Sequence, residues 1–408
     1  VSAAPVRSAS STVAMPSAPA AAALAAEADR RLVELEPQLV RLRRDFHAHP
    51  ELGFEEHRTA AEVARLLGDL GLSVRTGVGR TGVVGDLEGA PSGPRILVRA
   101  ELDALPVREA PGSEFAADGS AAHLCGHDAH LAALLGVATV LAAHRDALPG
   151  SVRFCFQPAE ELLAGAAAML ADGVLDGVDA ALTAHVLAAL PYGTVAINPG
   201  PVLSGADFFR ATVSGGAGHA GTPGQYADAV LASAHITAVL QALVARETPA
   251  GELLVVGIGS VHGGDAANAA PEDVALLGNV RWEDPAAGAR AVRRVGEIFS
   301  GVAGALGCRA RVEWTGHAPV LANSPRLASA VRAVIEQDAL AEIVEIPPQT
   351  ASDDFAEFSQ RVPGLFLGVG CGGPGHAAHH HPRFDIDERA VLGTARILCR
   401  ALLRLVDL

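Results

Sequence analysis

The chain has no lysine; every one of its 31 basic side chains other than histidine is arginine. That absence excludes Schiff-base enzymes, pyridoxal phosphate enzymes and the lysine-dependent phosphate loop. Cysteine is scarce and odd in number. The five, at 125, 155, 308, 371 and 399, form no Cys-x-x-Cys pair, so no disulfide framework is expected and a reducing cytoplasm fits best. A basic excess is also missing. The formal net charge of −15 argues against nucleic acid or an anionic membrane as partner. No apolar run reads as a membrane span free of charge, Gly or Pro.

What is present is enough apolar sequence, half of 408 residues, to fill a sizeable core in two or three domains. Residues 1–27, rich in Ala, Ser and Pro, read as a disordered tail rather than an export signal. The spacing of Leu32, Leu35, Leu39 and Leu42 predicts a helix over Ala28 to Arg44, and Arg58 to Leu70 a second, stopped by Gly71. Short apolar runs (Gly82 to Leu87, Arg95 to Arg99, Val152 to Phe156, Ala180 to His185) then alternate with helical segments (His130 to Ala143, Gly165 to Ala171). This is the rhythm of an α/β sheet covered by helices. After Gly205 the order becomes βαββαβ: a strand over Asp207 to Ser214, a helix over Tyr226 to Arg246, strands over Glu252 to Val261 and Val274 to Trp282, a helix over Ala286 to Ala305, and a strand over Arg309 to Trp314. That is a ferredoxin-like α+β unit. The α/β pattern resumes near His317. The expectation is a larger α/β catalytic domain, residues 28–205 and 316–408, with a lid or dimerisation domain inserted at 206–315.

Side chains able to hold a transition metal recur where apolar runs end. Cys125, His127 and His130 lie within one short stretch, a soft thiolate beside imidazoles. Glu160 and Glu161 follow one apolar run, His185 ends another, and His380 lies in a histidine cluster before Pro382. Any one histidine is more often a surface or core residue than a ligand. As a set, placed where strands hand over to loops, they match how α/β proteins collect a site.

Six stretches carry a resemblance: Phe46-His47-Ala48-His49-Pro50-Glu51-Leu52, Arg99 to Pro106, Cys125 to His130, Gln157-Pro158-Ala159-Glu160-Glu161, Gly218-His219-Ala220, and His380-His381-Pro382-Arg383-Phe384-Asp385. In this order they resemble the dinuclear metal amidohydrolases of the aminoacylase, hippurate hydrolase and auxin-conjugate hydrolase group, relatives of the carboxypeptidase G type peptidases. The resemblance implies two divalent ions (Zn, Mn, Co or Ni) held by Cys125, His127, Glu161, His185 and His380, with Cys125 between them. It implies Glu160 as general base, Asp103 in support of the metal shell, and His219 as the group that steadies the oxyanion, in several relatives across a dimer interface. Asn268 and Arg281 resemble contacts to a substrate carboxylate, and a homodimer is expected.

Adjacent carboxylates at 160 and 161 point in different directions, so one can ligate while the other handles a proton. The chain departs from the relatives' Arg-Ala-Asp-x-Asp-Ala-Leu-Pro pattern with Glu101 at the first acidic place, so Glu101 stays outside the ligand set. Asp353 stands where Glu is common, and His379 and His381 are additional histidines. The reading is a hydrolase of N-acyl amino acids or related small conjugates. The alternatives are a dipeptidase or carboxypeptidase using the same machinery, and an inactive metal or amino-acid binding protein.

Overall fold

The computed structural model describes residues 18–91, 93–110 and 112–407. It opens with α1 (Ala18–Ala48) and α2 (His57–Asp69), then β1 (Ser73–Val78), β2 (Gly82–Leu87), β3 (Arg95–Glu101), α3 (His127–Ala143), β4 (Ser151–Gln157), α4 (Gly165–Ala171), β5 (Ala180–Pro191) and β6 (Thr194–Ala196). A second run comprises β7 (Gly200–Leu203), β8 (Gly205–Ser214), β9 (Gly218–His219), α5 (Ala229–Ala242), β10 (Leu254–His262), β11 (Ala269–Ala270), β12 (Asp273–Trp282), α6 (Pro285–Ala305) and β13 (Arg309–Ala318). The chain closes with β14 (Leu321–Asn323), α7 (Pro325–Gln337), β15 (Glu342–Val344), α8 (Ala356–Ser359), β16 (Gly364–Gly372) and α9 (Arg389–Leu405).

Eight strands form one mixed sheet in the order β1-β2-β4-β3-β5-β16-β6-β15. Its centre, β4-β3-β5-β16, is parallel. Alternation along the central strands explains why their sequences read as unbroken apolar runs. On β3, Ile96, Val98 and Ala100 face a core shared with α1, α3 and α9, while Leu97 faces a second core with Met169, Phe355 and Phe358. On β4, Val152, Phe154 and Phe156 face the first core and Cys155 the second. Helix α3 is buried along nearly its whole length, as befits a helix apolar on all sides. Gly136 lets α1 approach it: a Cβ there would meet Leu39 at 2.9 Å.

The remaining long strands make a four-stranded antiparallel sheet, β10-β12-β8-β13. It packs with α5 and α6 around its own core of Phe209, Val213, Ile236, Val280, Trp282 and Phe299. The observed fold is thus mixed α/β with a second, antiparallel sheet between β7 and β14 in the chain.

Two expectations need correction. Helix α1 starts at Ala18, so part of the expected tail, residues 18–27, is helical; alanine is the strongest helix former, and Leu24 and Ala25 pack against the core. The tail before residue 18 lies outside the described residues. The stretch Ala229–Glu247 is also long and apolar enough to cross a membrane, although only by length and composition. Its Ala232, Ile236 and Leu240 are buried against the small sheet, so it serves as that sheet's core helix.

Candidate metal centre and its cavity

The carboxyl ends of the parallel strands converge where ligands collect in open α/β sheets. Asp103 follows β3, Glu160 and Glu161 follow β4, His185 lies within β5, and His380 follows β16. Cys125 and His127 come from the turn that enters α3, where Gly126 at φ 93° makes the bend. A Cβ at Gly126 would lie 2.3 Å from Val186 Cγ2, so only glycine lets this turn sit against β5. Ala159 and His380 also adopt left-handed backbone, with φ of 50° and 65°, strain of the kind that gathers at functional sites.

Two groups of ligand atoms share the Cys125 thiol: Cys125, His127 and His185, and Cys125, Glu161 and His380. Cys125 Sγ lies 3.5 Å from His185 Nε2, and His380 Nε2 lies 3.4 Å from Glu161 Oε1. His127 Nε2 stands 3.9 Å from Glu160 and 4.0 Å from Glu161. Each ring is turned so that Nε2 faces the cluster. His127 Nδ1 donates to the Asp103 carbonyl at 2.9 Å and His185 Nδ1 to the Val186 carbonyl at 2.7 Å. Among the described residues His127 Nε2, Glu161 Oε1 and Asp103 Oδ1 are buried with no hydrogen-bond partner, a costly arrangement unless something accepts or supplies charge there. The donor set, one thiol, imidazoles and a carboxylate, suits borderline-soft divalent ions. The residues therefore fit the metal pair that the sequence implies.

The electrostatics point the same way. Burial, reinforced by Glu161 and Glu160, pushes the Cys125 thiol well above its ordinary value. Burial also holds His185 well below the usual imidazole range, so it offers a lone pair. His127 is the reverse: against the cost of burial, the Asp103 carboxylate 3.5 Å from its Nδ1 and the surrounding carboxylates raise it to about 10. Such a site attracts a cation, and bound metal would displace these protons. Burial and the neighbouring Asp353, Glu161 and Asp354 push the Glu160 carboxyl well up. Against the same burial, His380 and His127 bring Glu161 below its ordinary value. The adjacent carboxylates are thereby made unlike each other. Asp103 ties the shell together, its Oδ2 accepting from the Glu161 N–H at 2.9 Å.

The cluster opens into a cavity of about 470 Å³ between the two sheets. Leu187, Leu203, Phe208 and Phe366 give it apolar walls, and Arg281 of β12 also lines it. The Arg281 Nε donates to Asn279 Oδ1 at 3.1 Å, and Nη1 to the Thr350 carbonyl and Ser352 Oγ. Among the described residues no carboxylate pairs with it, and burial lowers its pKa.

Two expected site residues lie elsewhere. His219 is exposed on β9, its Nδ1 accepting from the Gly221 N–H, and Asn268 is exposed, its carbonyl accepting from the Ala220 N–H. Neither lines the cavity within this chain. Of the departing residues, His379 lines the cavity and accepts from the Ala188 N–H, whereas His381 is exposed. Asp353 lines the cavity and pairs with Arg99. Glu101 joins neither of the ligand groups that share Cys125 and bonds Arg99 and His130.

Sequence reasoning missed Arg99, 1% exposed and bonded to Gln157, Glu101 and Asp353. The signal was available: a charge inside an apolar strand must find buried partners. It also missed the cavity walls, which carry no sequence signature.

The sequence pattern of Peptidase family M20/M25/M40 matches residues 97–404. The chain is 34% identical to N-acetyl-L-cysteine deacetylase of Bacillus subtilis, over 92% of this chain and 90% of that protein. It is 36% identical to IAA-amino acid hydrolase ILR1-like 2 of Arabidopsis thaliana, over 86% and 81%. Among solved structures it resembles the Bacillus subtilis YXEP protein, a dinuclear metal binding peptidase from the M20 family. The TM-score is 0.71 at 30% identity, covering 91% of this chain and 98% of that one. On this agreement of sequence and fold, the chain belongs to Peptidase family M20/M25/M40.

Proposed function

We propose that the protein is a metal-dependent hydrolase that cleaves the amide of an N-acyl amino acid, or a related small conjugate, into a carboxylate and an amine. The carrying observation is one cavity lined both by metal-binding groups with unpartnered atoms and by a guanidinium that has no acidic partner among the described residues. Relatives named as an N-acetyl-L-cysteine deacetylase and an IAA-amino acid hydrolase support an acyl amino acid as substrate.

Cys125, His127, Glu161, His185 and His380 would hold two ions, Cys125 serving both groups. When bound, such ions polarise an amide carbonyl and make water acidic enough to lose a proton near neutral pH. Glu160 takes that proton and delivers it to the leaving nitrogen. Burial and its acidic neighbours raise its pKa, which makes it a stronger base for that proton than an ordinary carboxylate. Arg281 holds the substrate carboxylate with its Nη2, which donates to nothing among the described residues, while Nε and Nη1 are tied down by protein. Asp103 orients His127 and Glu161.

His219 belongs, in this reading, to the neighbouring subunit's cavity. The small sheet with α5 and α6 acts as a ferredoxin-like dimerisation unit. Val230, Leu231, Val239 and Val244 on the helical stretch after Asp228, with Val261 on the edge strand β10, stay exposed in the single chain. A second copy covering that face would remove an apolar surface from water.

The test is a mass-spectrometric screen of chelated and reloaded protein against N-acyl amino acids and dipeptides. Turnover of acyl conjugates is expected. Turnover of dipeptides alone would establish the peptidase reading, and no turnover by fully loaded protein would refute hydrolysis.

A further inference from the structure

His130, in the first turn of α3, faces the cluster without joining either ligand group. Its ring lies 4.6 Å from that of His185, edge to face. The pairing of β3 with β5 runs from Ile96–Ala180 to Arg99–Thr183 and then stops. The Val186 N–H, beyond that point, donates instead to His130 Nε2 at 2.9 Å. A ring nitrogen that accepts cannot carry the proton, so the proton sits on Nδ1. From there it is donated to Glu101 Oε2 at 2.7 Å. The other Glu101 oxygen accepts from Arg99, which is anchored in turn by Gln157, Asp353 and Asp354. On the far side of the same residue, the Val186 carbonyl accepts from His185 Nδ1. That bond leaves His185 Nε2 directed at Cys125.

We propose that Glu101 and His130 are positioning residues for His185: Glu101 sets the tautomer of His130, and His130 clamps the Val186 backbone on which the His185 ring rests. This role rests on the metal reading above. It also gives the departure at position 101 a physical purpose. Aspartate would draw the carboxylate back by about one carbon–carbon bond, ~1.5 Å, too far to keep both Arg99 and His130.

The test is a titration of metal-free protein with Co(II) against a competing chelator, read by electronic absorption, with melting temperature measured on the same samples. Glu101→Asp and His130→Asn should each weaken one of the two cobalt equivalents by ~10–100-fold, as outer partners of ligating histidines generally do, and leave the other unchanged. Folded variants that bind both equivalents as tightly as the parent, or lose both equally, overturn the proposal. Should the variants fail to fold, ¹⁵N correlation spectra of the parent's histidine rings decide it: a proton on His130 Nδ1 supports the clamp, and one on Nε2 refutes it. A parent protein that takes up no cobalt refutes the metal reading and this role together, whereas normal loading with unaffected variants refutes the role alone.

Discussion

Replacing Glu160 with glutamine separates the chemistry of this carboxylate from its effect on stability. The residue is 6% exposed and its carboxylate lies close to those of Asp353 and Asp354. Burial and those neighbours raise its pKa in the folded protein, so the unfolded chain ionises first as pH rises. The sign follows from linkage: between the ordinary carboxylate value and the raised folded value, the unfolded state binds fewer protons and stability falls with pH. A tenfold difference in proton affinity between the folded and unfolded chain is worth ~1.4 kcal/mol. Glu160→Gln removes that cost while keeping shape. The metal-free variant should therefore melt higher than the parent, by about a degree or more for a chain this large, with a gap that widens as pH rises from ~4.5. Turnover should fall ~10²–10⁴-fold, the usual contribution of a positioned base, with metal content retained. Calorimetry of stripped protein, elemental analysis and single-substrate kinetics read the three quantities. A variant with parental turnover, or one that melts lower at neutral pH, would refute the assignment.

Other outcomes follow from the same geometry. Glu161→Gln should lose metal as well as rate, because its Oε1 faces both His380 and His127; elemental analysis distinguishes it from Glu160→Gln. Arg281→Ala should raise KM by ~10-fold or more for substrates with a free carboxylate, as loss of a charged hydrogen bond of 1.5–3 kcal/mol requires, and leave carboxamide analogues unaffected. Mixing inactive Glu160→Gln protomers with inactive His219→Ala protomers should restore activity in exchanged dimers, since one site then has both groups intact; verified exchange without recovery refutes action in trans. Asp128→Asn should cost ~3–5 kcal/mol at neutral pH by leaving Arg43 buried with a weakened partner set, as the Arg43 Nε bonds Asp128 at 2.8 Å. Arg43 and His47 hold the Asp128 carboxyl far below its ordinary value despite burial, so denaturation curves should show that difference shrinking only as pH falls below about 3.8.

Residues whose chemistry is costly to bury were legible in the sequence. Cys125, His127, Glu160, Glu161 and His185 follow or end apolar runs, and the structure draws their side chains together because parallel strands deliver their carboxyl ends to one edge. The small sheet was legible for a related reason: β8, β10, β12 and β13 are long enough for alternation to show. Helix α9 was not anticipated, although its apolar stripe of Val391, Ile397, Leu398, Leu402 and Leu405 packs on the main core. The short strands β6, β7, β14 and β15 are too brief for any period to emerge. His130 shares the short stretch with Cys125 and His127 but stayed outside the ligand set, and spacing could not say that its ring turns toward Glu101. His219 and Asn268 are exposed and lie outside the cavity of their own chain, a placement that spacing along one chain does not encode.

The most direct measurement is hydrolysis of an N-acyl amino acid by protein stripped with chelator, its metal content established by elemental analysis, and then reloaded stepwise with Zn, Mn, Co or Ni. The account predicts no activity in the stripped protein and recovery that saturates at two ions per chain. Full activity in protein shown to be free of metal would contradict it.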